Sequence, residues 1–212
     1  MQAFLFDMDG VIIDSEPLHF ATDIQTVAEL GAVIDQEGLE PFVGMTNPEM
    51  WKSLRAQFGF TPSIAEIIEI QTKQKLAALH SSQLEPIEGI RDLIDSLRML
   101  GIPAGVASSS PRSFIEAVLG KFGLIDSFSC IVSGEEVPRG KPAPDVYLEA
   151  ARQLGISPEY CVVLEDSRNG LRAAKAAGMK AIGFRNPNSG NQDLSEADLI
   201  VAAIGEIRAD LL

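Results

Sequence analysis

The chain is poor in three things, and each shortage excludes a class of function. Basic residues are outnumbered: 17 Lys and Arg against 30 Asp and Glu leave a net charge of −13. Nucleic acids and anionic membrane surfaces need a basic face, so neither is an expected partner. The same charge repels anionic metabolites, so a phosphate site here needs local positive charge from a lysine, helix N-termini or a divalent metal. Long apolar runs are also missing. None is long enough to span a bilayer, and the N-terminus lacks the basic region of a signal peptide, so a cytoplasmic protein is expected. Cysteine is scarce: Cys130 and Cys161 each sit in an apolar, strand-like run, Ser129-Cys130-Ile131-Val132 and Cys161-Val162-Val163-Leu164. Two such residues make no metal-site spacing and read as buried free thiols.

What is present suits a packed core: 46% of the 212 residues are hydrophobic and 22% charged, enough for one large domain or one plus a smaller one. From about residue 87 onward, helical patterns at 87–100, 111–122, 144–154 and 169–177 alternate with apolar runs at 102–107, 129–132, 161–164, 181–184 and 199–201, before a short terminal helix. Such alternation predicts an α/β fold, a parallel sheet covered by helices on both faces. Between about 15 and 85 only helical patterns occur, at 17–30, 35–42, 48–58 and 63–79, punctuated by Gly31, Gly44 and Gly59. This block, 15–85, reads as a helical bundle inserted into a core made of 1–14 and 86–212, packed over the crevice of that core. Trp51 reads as packing inside the bundle.

The chemistry is carried by the ends of the strands. Ala3-Phe4-Leu5-Phe6 reads as a buried strand that breaks into Asp7-Met8-Asp9-Gly10. In a parallel α/β sheet the loops after the strands form the ligand crevice, and alternation points Asp7 and Asp9 the same way. Two close carboxylates repel, so the pair calls for a cation between them or a proton on one. Later strand ends add Ser108-Ser109-Ser110-Pro111, hydroxyls and N–H groups at a helix start that suit an anion. They also add Lys141, held in the stiff turn Arg139-Gly140-Lys141-Pro142-Ala143-Pro144, and the acids Glu165 and Asp166. Together these are the parts of a magnesium phosphoryl-transfer site. Oxygens of Asp7 and Asp166 suit Mg²⁺, while Lys141, Ser108 and nearby amides suit the phosphoryl oxygens.

Phe6-Asp7-Met8-Asp9-Gly10-Val11, Ser108, Lys141 and Glu165-Asp166 resemble, in order and context, the four motifs of the haloacid dehalogenase-like hydrolases. The resemblance spans essentially the whole chain. It is strongest to the branch of small-molecule phosphatases and β-phosphoglucomutase, whose members often carry Asp-Gly-Val and Asp-Ser-Glu-Pro-Leu-His as here. It implies a Rossmann-like core with an α-helical cap, and Asp7 as a nucleophile that forms an aspartyl-phosphate. Asp9 is then the general acid and base. Ser108, Ser109 and Lys141 hold the phosphoryl oxygens. Mg²⁺ is held by Asp7, the main-chain carbonyl of Asp9 and Asp166, with Glu165 in support, so that Asp7 stays ionised beside a protonated Asp9.

The expected reaction is hydrolysis of a small phosphorylated metabolite, a sugar phosphate by resemblance. Halide displacement needs neither a proton nor a metal and leaves Asp9 and Asp166 unexplained. A mutase is the main competitor, and it needs a second, distal phosphate site. In the β-phosphoglucomutases an arginine follows the cap's Gly-x-Ser/Thr and a lysine lies three residues after the second-motif serine. Here Gly44-Met45-Thr46 is followed by Asn47, and Pro111 takes the lysine position; Arg55 and Arg112 are the cations that could compensate. A phosphorylated receiver module has the wrong motif order, and a catalytically silent binding protein would not need every catalytic position filled. Substrate contacts are expected from Gly44, Thr46 and Asn47, and His19 is placed to contact substrate or orient Asp9, whereas Lys73 and Lys75 read first as a solvated helix face and second as substrate contacts.

Overall fold

The computed structural model describes residues 1–43 and 45–211, so the candidate Gly44 lies outside the described residues. β1 (Ala3–Phe6) is followed by four helices, α1 (Glu16–Glu29), α2 (Gln36–Leu39), α3 (Asn47–Phe58) and α4 (Ile64–Ser81). The alternating part then runs α5 (Ile90–Met99), β2 (Ala104–Ser108), α6 (Arg112–Phe122), β3 (Cys130–Ser133) and α7 (Asp145–Leu154). It ends with β4 (Cys161–Glu165), α8 (Arg168–Ala176), β5 (Lys180–Phe184) and β6 (Leu199–Val201). The strands form one sheet in the order β3-β2-β1-β4-β5-β6, with every pairing parallel. The expected Rossmann-like α/β fold is therefore present. β1 lies at the switch point where the strand order reverses, which is where such sheets open a crevice.

Alternation along the strands sorts the core into two layers. Phe4, Phe6, Val106, Val162 and Leu164 pack with Leu93, Leu97, Phe114 and Ile115 of α5 and α6. Ala3, Leu5, Ala107, Val163 and Ala181 pack with Tyr147, Ala150, Leu171 and Ala174 of α7 and α8. Burying each large apolar side chain here is worth roughly 1.5–3 kcal/mol. Cys130 and Cys161 are buried free thiols, as expected. Among the described residues, no helix is long and apolar enough to cross a membrane.

Helices α1 to α4 build a third cluster of their own, with Trp51 fully buried among Phe20, Val27, Leu54 and Ile67. The chain leaves the sheet beside Ile13 and returns beside Pro86, two residues that pair with each other. The helix expected over 35–42 is shorter: α2 ends at Leu39, and Glu40–Phe42 is a 3₁₀ turn because Pro41 has no N–H to continue the ladder. The helix expected from residue 87 starts at Ile90, after Gly89 turns the chain at a φ of 90°. The expected terminal helix is replaced by two 3₁₀ turns, Ile204–Glu206 and Ala209–Leu211, with Ile204 and Ile207 buried at the three-residue spacing that such turns present.

Candidate active site

Asp7 emerges from β1 with the parity of Ala3 and Leu5, so it faces the side of the sheet covered by α7 and α8. Its backbone N–H donates to Leu164 O at 3.0 Å. The turn before α7 delivers Lys141 from that side, and its ammonium is 1% exposed. Nζ donates to Asp7 Oδ1 at 2.8 Å, Glu165 Oε1 at 2.7 Å and Ala107 O at 3.1 Å, and lies 4.9 Å from the centre of the Tyr147 ring. Burial alone would lower the Lys141 pKa, but the Asp7 and Glu165 carboxylates hold it well above its ordinary value. Asp7 is pushed up to about 8, by burial first and then by repulsion from Glu165, with Lys141 opposing.

Glu165 is saturated with donors. Oε1 accepts from Lys141 and from the Tyr147 hydroxyl at 2.8 Å, and Oε2 accepts the N–H groups of Asp166 and Ser167 and the Ser167 hydroxyl, each at 3.0 Å. Gly170 lets this carboxylate sit under α8, since a Cβ there would fall 1.6 Å from Oε1. Asp166, at the next position, turns towards the crevice, and burial and the neighbouring Glu165 and Asp7 raise its pKa well above the ordinary range. Oxygens of Asp7, Glu165 and Asp166 lie within 4.8 Å of one another. Buried carboxylates that repel each other this strongly are a donor set that fits a hard divalent cation.

Asp9 lies in a different setting. Oδ1 meets the Ser15 hydroxyl and His19 Nε2, both at 2.7 Å, and Oδ2 accepts from Ser110 at 2.8 Å and Ser108 at 3.1 Å. Burial works against its charge, but His19 and these hydroxyls win and hold the carboxyl well below its usual range. The protein's own groups thus stabilise the Asp9 carboxylate, while at Asp7 burial and the nearby acids work against the charge that Lys141 supports.

The crevice above these residues is lined by Asp7, Asp9, Asp166, Ser109 and Ser110 from the sheet, and by His19 and Asn47 from the helices. Ser108 is fully buried as the last residue of β2, and its hydroxyl, like that of Ser110, donates to Asp9, while Ser109 and Ser110 line the crevice. Two expectations shift. Thr46 is not in the lining: its hydroxyl donates to Glu49 at 2.7 Å, and its methyl packs where a Cβ on Gly140 would fall. Lys75 lines the crevice, paired with Asp23 at 3.3 Å, whereas Lys73 is exposed.

Sequence reasoning passed over Ser15, Glu16, Asp23, Tyr147 and Ser189. Ser15 and Glu16 lie within the Asp-Ser-Glu-Pro-Leu-His run and had a signal in that motif. Tyr147 and Asp23 had only helical position to offer. Ser189 lies in an Asn/Pro/Gly-rich turn and had none.

The model of a family described as haloacid dehalogenase-like hydrolase matches residues 4–184. Hexitol phosphatase B of Escherichia coli (strain K12) is 35% identical over 99% of this chain and 96% of its own length. The beta-phosphoglucomutase of Bacillus subtilis (strain 168) is 31% identical over 100% of this chain and 94% of its own. The crystal structure of CbbY from Rhodobacter sphaeroides in complex with phosphate superposes with a TM-score of 0.89 at 30% identity, covering 97% of this chain and 96% of the other. With the sheet order, the buried lysine and the strand-end acids in the same places as the four motifs, the chain belongs to the haloacid dehalogenase-like hydrolases.

Proposed function

We propose that the chain is a Mg²⁺-dependent phosphatase that hydrolyses a small phosphomonoester, a sugar or sugar-alcohol phosphate, through an aspartyl-phosphate. The observation that carries this reading is the buried set of Asp7, Lys141, Glu165 and Asp166 at the floor of the crevice. Asp7, Asp166 and the main-chain carbonyl of Asp9 would hold the metal, with Glu165 in support through Lys141. Bound there, Mg²⁺ supplies charge neutralisation for the phosphoryl group. Asp7 attacks phosphorus as the phosphoester bond breaks, and Asp9 gives a proton to the departing alcohol oxygen. A water, deprotonated by Asp9, then attacks phosphorus, breaks the bond to Asp7 and releases inorganic phosphate. The donors on Asp9 favour the carboxylate that this second step uses, so the first step requires some of them to let go when substrate enters. Ser108, Ser109 and Lys141 would hold the phosphoryl oxygens, and α1 to α4 act as a cap.

A neutral substrate body is favoured over a second phosphate. The helical side of the crevice carries Glu16 and Asp23, and its Lys75 is already paired with Asp23. Asn47, the residue in the arginine position, carries no charge and favours the charged form of the neighbouring Glu135. Arg112 is held by both carboxylate oxygens of Glu136, and Arg55 donates to Phe60 O at 3.0 Å, so neither supplies the missing distal cation. Hexitol phosphatase B among the relatives supports the substrate class. The same reading takes a small phosphorylated metabolite as the protein's partner and the cytoplasm as its place of action.

The test is inorganic phosphate release from a panel of sugar and hexitol phosphates with Mg²⁺, alongside β-glucose 1-phosphate with catalytic β-glucose 1,6-bisphosphate. Release that is abolished by EDTA and by Asp7→Asn supports the phosphatase. Glucose 6-phosphate forming faster than phosphate overturns it in favour of a mutase.

A further inference from the structure

The turn after β5 reaches back to the catalytic floor. Ser189 is 1% exposed, and its hydroxyl donates to Asp166 Oδ2 in a very short hydrogen bond. Asn186, 7% exposed, donates from Nδ2 to Gly10 O at 2.9 Å, in the loop that carries Asp7 and Asp9. Its Oδ1 accepts the Asn188 N–H at 2.8 Å, which shapes the turn around Ser189. Gln192 closes the other side: Nε2 donates to Ser189 O at 3.0 Å, and Oε1 accepts the Arg168 N–H at 3.1 Å, at the start of α8. Gly10 is the third wall, because a Cβ there would lie 1.9 Å from Asp166 Oδ2 and 2.9 Å from Ser189 Oγ. Its φ of 76° also favours glycine.

We propose that Ser189, seated by Asn186, is a positioning residue for Asp166: its hydroxyl engages Oδ2 and so leaves Oδ1 to face the crevice. The physical need is plain. A carboxylate rotates about its last torsion unless a hydrogen bond fixes one oxygen, and outer partners of this kind set the orientation and affinity of metal ligands. Ser189 also acts across the sheet, tying the strand-end acid of β4 to the turn after β5. This inference rests on the reading of Asp166 as a metal ligand.

The experiment measures binding of Mn²⁺, as a spectroscopic stand-in for Mg²⁺, to the full chain by electron paramagnetic resonance, without substrate, for wild type, Ser189→Ala, Ser189→Thr and Asp166→Asn. Expected is a rise in Kd of about 10–100-fold for Ser189→Ala, with recovery in Ser189→Thr. Wild-type affinity in Ser189→Ala together with a large loss in Asp166→Asn overturns the inference alone. Wild-type affinity in Asp166→Asn overturns the reading of Asp166 beneath it. Should Ser189→Ala fail to fold, Ser189→Cys, of similar size and a weaker donor, stands in its place under the same outcomes.

Discussion

The Lys141 ammonium sits 2.8 Å from the carboxylate of Asp7, 134 residues earlier in the chain, and both side chains are buried. A charge pair at that depth is expensive to dismantle from one side, because the partner left behind has neither water nor a counter-charge. Lys141→Met is therefore expected to lower stability by about 3–5 kcal/mol. It should cut turnover by at least about 10²-fold, through lost stabilisation of the transferring charge. Thermal unfolding and phosphate release check the two effects separately. A variant with wild-type melting temperature would show that Asp7 and Glu165 find other partners.

Glu16, buried at the start of α1, has its carboxyl pushed up from 4.5 to about 8, by burial first and repulsion from Asp9 second. The folded state thus keeps a proton that the unfolded state has lost, and stability falls as pH rises from about 4.5 to about 8. Below that window both states are protonated, and above it both are ionised. Glu16→Gln removes the dependence. In EDTA-containing buffer its advantage over wild type should be small near pH 4.5, grow to pH 8 and then level off. The plateau should be on the order of a few kcal/mol. Melting temperatures across that pH range test this, and a constant difference would refute it.

Two glycines in helices should respond in opposite ways. In α8, a Cβ on Gly170 would fall 1.6 Å from Glu165 Oε1, whereas in α6 a Cβ on Gly120 meets nothing within 4 Å. Gly170→Ala is expected to destabilise by ~1–3 kcal/mol or more, through overpacking against a carboxylate that cannot move. Gly120→Ala should stabilise by roughly 0.5–1 kcal/mol, the ordinary gain from filling a helix interior position. Denaturant midpoints of the two variants decide it.

Burial pushes both thiols up to about 11, with small additions from nearby groups that include Glu149 for Cys130 and Glu159 for Cys161. The thiolate is the reactive form, so neither cysteine should react with a disulfide reagent such as DTNB at pH 8 in the native protein. Both should react in denaturant. Stoichiometric labelling of the native chain would contradict the burial.

The helices and strands were legible because their signals are local. The apolar run Ala3-Phe4-Leu5-Phe6 and the helical spacing of α4 sit within one element and need no partner to be read. Pro41 and Gly89 moved two helix boundaries, since a missing N–H and a left-handed φ act over a single turn. Ser108 was placed correctly at a strand end, but its hydroxyl direction depends on a carboxylate 99 residues away.

The sequence by itself determined the parallel α/β order, the helical block between the first two strands, the residues at the strand ends, Asp7, Ser108, Glu165 and Asp166, and the turn that carries Lys141. Periodicity and turn chemistry settle such matters one element at a time. The tertiary structure alone decided which group meets which. Tyr147 goes to Glu165, His19 and two serines of the Ser108–Ser110 run go to Asp9, Ser189 goes to Asp166, and Lys75 is spent on Asp23 inside the crevice. These pairings follow from strand register and helix packing, which bring together side chains far apart in the chain and are not encoded in any single stretch of it.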